Sequence, residues 1–171
     1  MNSLVKREIN ISITAHVELV TQMILDCYEI NLHRIEKEKR PDIPYCPGNM
    51  LYHRMLRATG HTAALKKLLS NEFYENSGIN VFGAFHCETE LEFALKNSRN
   101  ARTGEEFPAP EIDKRKRMGT INRWIGTAIS EANIIIFSDT LHDKQRLDNV
   151  HKFINENATC FPNLRLVVIL G

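Results

Sequence analysis

The chain is poor in the features that most readily announce a function. Its four cysteines, at 27, 46, 87 and 160, include no CxxC pair. Spacing this wide gives neither a zinc-ribbon pattern nor a dense disulfide framework, and it fits a reduced, cytoplasmic setting. An excess of one charge is also missing, since 22 Lys and Arg against 21 Asp and Glu leave a formal net charge of +1. That balance removes the electrostatic case for a dedicated DNA coat or a polybasic membrane protein. The longest apolar runs, around residues 134–137 and 166–170, fall far short of the roughly 20 residues needed to cross a bilayer, so no membrane partner is expected. Lys6, Arg7 and Glu8 are not followed by an apolar stretch with a small-residue cleavage site, so no secretory signal is expected either. The phosphate-cradling patterns GxxxxGK[ST] and GxGxxG are absent, which disfavours a P-loop kinase or an ordinary dinucleotide oxidoreductase. A GxSxG elbow and an HExxH helix are absent as well.

What is present is the material of a globular domain. The 171 residues are 43% hydrophobic and 25% charged, enough for one well-filled core and too few for two comfortable ones. A single domain over residues 1–171 is expected, mainly helical over 1–77 and alternating strand with helix over 78–171.

Over residues 16–39, Val20, Met23, Ile24, Cys27, Ile30 and Ile35 recur near helical spacing ahead of Pro41, predicting one long amphipathic helix. Residues 40–48 hold three prolines and a glycine and form a connection. Asn49 is placed to cap a helix through Arg57, Gly60 to end it, and residues 62–73 to resume with Ala64, Leu65, Leu68 and Leu69, an αα-hairpin. Residues 79–85 are short, apolar and β-prone, and Leu91, Ala94 and Leu95 restart a helical period. Residues 97–110, with Gly104, Pro108 and Pro110, read as a surface loop. Ile121, Trp124, Ile125, Ala128 and Ile129 form an apolar helical stripe. Residues 133–137 then read as a buried strand, 141–157 as a helix with Leu147, Val150 and Ile154 inward, and 164–170 as a last buried strand. Strands apolar throughout are buried on both faces, so the fold class is α/β: a mostly parallel or mixed sheet of few strands covered by helices.

His86-Cys87-Glu88 stands where a strand gives way to a helix, and ligands of α/β sheets gather at such strand ends. His86 and Glu88 there can bind a metal and move a proton; alternatively His86 caps the helix and Glu88 complements its dipole. Cys87 is the thiol beside that imidazole, whereas Cys27 and Cys160 read as packing residues.

The step Val81-Phe-Gly-Ala-Phe-His86-Cys-Glu88 resembles the first half of the zinc-dependent cytidine and nucleic-acid deaminase fold, where H/C-x-E opens the helix after a strand. The resemblance implies a zinc-bound His86 and Glu88 as the proton shuttle for metal-bound water. Where that family carries PCxxC, this chain reads Phe137-Ser138-Asp139-Thr140-Leu141-His142-Asp143. Asp139 and His142 keep the three-residue separation, so a divalent-metal site of His86, Asp139 and His142 is one expectation. In the other, Ser138 or Asp139 caps the next helix and no metal is held.

Two acids at strand ends, Asp139 and Glu88, also fit a metal-dependent nuclease or phosphohydrolase, or a ribose-binding pair with Lys144 or Arg146 on phosphate. The basic run Lys114, Arg115, Lys116 and Arg117 is the concentrated cationic feature, and Lys114, Arg115 and Arg117 are taken as candidate substrate-binding residues, with Trp124 either stacking on a base or packing in the core. Arg54 and His61 have an RxxxxxxH spacing that Gly60 interrupts. The leading expectation is a cytoplasmic domain binding a nucleobase, nucleoside, nucleotide or nucleic acid, in its catalytic version a metal-dependent hydrolase. The competing one is a non-catalytic module that docks a protein partner through its N-terminal helices.

Overall fold

A computed structural model describes residues 13–38, 50–54, 61–99, 106–121 and 127–171. The long N-terminal pattern folds as α1 (Ile13–Glu38), which buries Val20 and Ile24. Asn31 of α1 donates to the Arg165 carbonyl at 3.0 Å, tying the helix to the approach of the last strand.

Next come β1 (Leu51–His53), α2 (His61–Leu69), α3 (Asn71–Ser77) and β2 (Val81–Phe85). They are followed by α4 (Glu88–Leu95), the two-residue strands β3 (Ser98–Arg99) and β4 (Glu106–Phe107), α5 (Lys114–Arg117) and β5 (Met118–Thr120). The chain then forms α6 (Thr127–Ser130), β6 (Ile134–Phe137), α7 (Lys144–Asn157), a 3-10 turn at Ala158–Cys160 and β7 (Leu166–Leu170).

Five strands form one sheet in the order β1-β7-β6-β2-β5, and every neighbouring pair is parallel. The α/β reading therefore holds, with α1 ahead of a parallel sheet. β2, β6 and β7 are buried at every position, as their unbroken apolar sequences require. Their side chains alternate between two cores. Phe85, Ile134, Ile136 and Val168 meet α1, α2 and α4 through Val20, Leu65 and Leu91. Phe82, Ile135, Phe137 and Val167 meet α6 and α7 through Ile129, Val150 and Ile154. Gly83 lets α2 lie against the sheet, because a Cβ there would stand 2.8 Å from Leu69 Cδ1.

Local pattern misled at several points. The helix expected from Asn49 through Arg57 is instead strand β1 over its described part, since pairing with β7 satisfies Leu51–His53 along a buried neighbour. Among the described residues there is no αα-hairpin at this point, and residues 55–60 lie outside them. Residues 62–73 divide at Ser70, whose hydroxyl accepts from Phe73 N at 3.1 Å and starts α3. β5 has only three residues, one of them glycine, and leaves no periodic signal. Of the stripe from Ile121 to Ile129, Ile129 is in the core, while Trp124 lies outside the described residues. The expected loop at 97–110 is partly tied by the β3–β4 ladder, Ser98 opposite Phe107. Asp143, rather than Ser138 or Asp139, caps α7, accepting from Gln145 N at 2.8 Å. Cys160 is exposed rather than packed. Among the described residues no helix is long and apolar enough to cross a membrane.

Candidate functional site at the junction of two strands

β2 and β6 are neighbours whose following connections part company. From β2 the chain leaves through α4 on one face and reaches β5 on one side; from β6 it leaves through α7 on the other face and reaches β7 on the opposite side. Between two such strand ends the covering helices diverge and leave a crevice, the place where doubly wound sheets bind ligands. The segments at this crevice are His86-Cys87, leading into α4, and Ser138 to Asp143, leading into α7.

The second segment is fixed by backbone bonds: Ser138 N donates to Ala84 O at 3.1 Å, and Thr140 N to Leu170 O at 2.7 Å. Asp139 between them has a φ of 49°. Aspartate tolerates this left-handed conformation better than most residues. Thr140 is fully buried, and its hydroxyl donates to Ser138 O at 3.1 Å. His86 Nε2 lies 2.9 Å from Thr140 Oγ1. With the hydroxyl proton already used, His86 Nε2 carries the proton of that bond, and Nδ1 is the ring's basic nitrogen.

Arg146 joins the two loops. Its Nη2 lies 2.8 Å from Glu90 Oε1, and its Nη1 reaches Asp139 Oδ2 at 3.2 Å and Asp139 O at 3.1 Å. Glu90 Oε2 in turn accepts from His86 N at 3.2 Å. His142 Nε2 stands 3.7 Å from Asp139 Oδ1. Burial and then the Arg146 charge lower the pKa of His86 below its ordinary value, against the opposing pull of Glu90, Asp139 and Asp143. His86 is therefore neutral near pH 7. His61 and His53, whose rings meet edge to face with centroids 6.0 Å apart, are also lowered. Burial is the main cause for both, with His53 and His142 adding to the effect at His61 and Asp139 opposing it.

Two cavities flank this ion-paired wall. One, of about 420 Å³, is lined by His86, Ile121, Arg146, Asn149, Phe153, Lys152 and Glu156, the last two forming an exposed ion pair at 3.8 Å. The other, of about 360 Å³, lies towards α2 and α4 and includes Glu90, Phe93, Ser138 and Asp139 in its lining.

His86 and Asp139 are thus brought to one site, and His142 stands beside Asp139. Glu88 is exposed on the first turn of α4 and lines neither cavity. The carboxylate turned to His86 is Glu90. The expected metal set of His86, Asp139 and His142 does not converge: His86 Nε2 is engaged by Thr140, and a guanidinium already sits between Asp139 and Glu90. No group of three or more His, Cys, Asp and Glu side chains among the described residues is arranged to hold a metal ion. The residues present do not fit the zinc centre that the deaminase resemblance implies.

The basic run falls elsewhere. α5 directly precedes β5, so Lys114 and Arg115 stand at the amino edge of a parallel sheet, the end opposite the crevice. Arg117 is buried; its Nη1 donates to Ser70 O at 2.6 Å and Leu69 O at 3.3 Å, and its guanidinium lies 4.4 Å from the Tyr74 ring centre. It satisfies carbonyls at the end of α2 and is not available to a substrate. Sequence reading missed Glu90, Thr140, Asn149 and Lys152. The available signal was spacing: Glu90 follows His86 by four, and Arg146, Asn149 and Lys152 recur every three residues on one side of α7.

No protein-family model matches the chain, and neither a curated protein nor a solved structure matches it.

Proposed function

We propose that the chain binds a nucleotide at the β2–β6 junction, with a phosphate in the cavity beside Arg146. The observation that carries this reading is the pairing of Arg146 and Lys152 in one concave wall at the carboxyl end of strands whose order reverses. Arg146 is held in place by Asp139 and Glu90, and its remaining N–H groups can serve an anion at little further loss of side-chain freedom. Asn149 adds an amide, while Ile121 and Phe153 give the cavity apolar walls. Neutral His86 is the group here suited to accept a proton near pH 7. No metal enters the reading, because the guanidinium already supplies the positive charge between the two carboxylates. A cytoplasmic setting belongs to the same proposal, supported by the free thiols Cys27, Cys87 and Cys160.

Isothermal titration of the full chain with nucleoside mono-, di- and triphosphates tests the proposal. At least one should bind in the micromolar range, and Lys152→Gln should weaken it about tenfold, or 1.4 kcal/mol. Failure of every nucleotide to bind overturns the reading.

A further inference from the structure

The wall between the two cavities is polar in the electrical sense. Arg146 and His86 line the α7 cavity together with Lys152 and Glu156, whereas Glu90 and Asp139 line the α4 cavity, where the remaining titratable side chain is the imidazole of His61. An ion pair only 2.8 Å long at Glu90 and 3.2 Å long at Asp139 separates the two environments. The α4 side repels phosphate and offers acceptors to a donor-rich neutral group. Each carboxylate has lone pairs beyond those taken by Arg146 and by the His86 amide.

The rest of that cavity combines hydroxyls with aromatic surface. Thr89 and Ser138 bring hydroxyls to its lining. Phe93, on the second turn of α4, is 67% exposed, a large aromatic left in solvent at the cavity edge. An exposed aromatic beside acceptors and hydroxyls is the equipment for a flat heterocycle attached to a polyol: the ring stacks, and the polyol donates to the carboxylates.

Resting on the nucleotide reading above, we infer that the α4 cavity is the nucleoside subsite, with Glu90 and Asp139 accepting from the ribose hydroxyls and Phe93 stacking on the base. The ligand then lies across the strand ends, phosphate on the α7 side and nucleoside on the α4 side. Arg146 serves both halves, as the phosphate's cation and as the clamp that orients the sugar's acceptors.

Titration calorimetry on the full chain with the four ribonucleoside monophosphates, their 2′-deoxy forms and inorganic pyrophosphate separates the two claims. The preferred ribonucleotide should bind about tenfold more tightly than pyrophosphate. Phe93→Ala should abolish that advantage while leaving pyrophosphate affinity unchanged, and the 2′-deoxy form should be about five- to tenfold weaker than the ribonucleotide. Equal binding of nucleotide and pyrophosphate, both insensitive to Phe93→Ala, overturns the subsite and leaves the phosphate site standing. Equal binding of ribo- and deoxynucleotides overturns the carboxylate assignment. If neither nucleotide nor pyrophosphate binds, the nucleotide reading falls with it.

Discussion

Arg146 on α7 and Glu90 on α4 meet at 2.8 Å, although their helices cover opposite faces of the sheet. The contact is possible because both helices begin at the same strand edge, and their first turns rise above it. With both side chains about one-quarter to one-third exposed, the pair is screened less than a surface ion pair. A double-mutant cycle of Arg146→Ala and Glu90→Gln, followed by urea unfolding, should give a coupling of about 1 kcal/mol. Additive losses would show that the two residues do not support each other.

Acid should loosen the fold through three histidines. His53, His61 and His86 each have a folded-state pKa below the ordinary 6.5. The unfolded chain therefore takes up more protons than the folded one as pH falls through that interval. Their stabilising contribution is complete above about pH 6.5 and is lost progressively below it, down to the folded values. Urea midpoints measured from about pH 8 to 5 should decline in the acid half, and His61→Gln should flatten the decline. Midpoints that rise on acidification would contradict this.

Within the basic run, structure and ligand affinity should separate cleanly. Arg117→Ala removes the side-chain donor from the Leu69 and Ser70 carbonyls, the latter keeping its bond from Tyr74 N, and should destabilise by about 1–3 kcal/mol. Lys114→Gln and Arg115→Gln, both solvent-exposed, should stay within about 0.5 kcal/mol of the parent in stability and leave nucleotide affinity unchanged. A large loss of affinity in the Lys114 or Arg115 variant would bring the amino edge of the sheet back as a binding surface.

Gly83 should resist even a methyl group. The atoms its Cβ would meet are Leu69 Cδ1 at 2.8 Å and Phe85 Cε2 at 3.2 Å, both on fully buried side chains of the core. Gly83→Ala should lower stability by about 1–3 kcal/mol, and combining it with Leu69→Ala should cost less than the sum of the two. Thermal unfolding of the three variants measures both effects.

How far the sequence could be read follows from what each residue needed. The β2, β6 and β7 runs and the inward face of α7 are legible because burial on two faces, or on one stripe, leaves an apolar pattern in the local sequence. β1 and β5 are not legible: each has three residues, and what makes them strands is the pairing partner, β7 in one case and β2 in the other. That His86 and Asp139 follow strand ends was legible because the apolar runs before them, Val81–Phe85 and Ile134–Phe137, stop there. Glu90 was passed over for Glu88 because sequence adjacency is a poor guide on a helix, where a residue four positions on returns to the same side. Arg117 looked like a ligand contact because a cation that closes a helix end and one that meets a phosphate are alike in one dimension.

The placement of β1 has a consequence for how the molecule comes into being. Leu51 pairs with Val168, and His53 sits opposite Leu170. During synthesis β1 leaves the ribosome well before β7, the strand it pairs with, while β2, β5 and β6 can already assemble. Pairings this distant in sequence are entropically slow to close. Thr140 N and Leu141 N also bond to Leu170 O, so the loop bearing Asp139 gains its tether in the same late event. The nascent chain can therefore carry most of its core before the loop at the crevice is tethered.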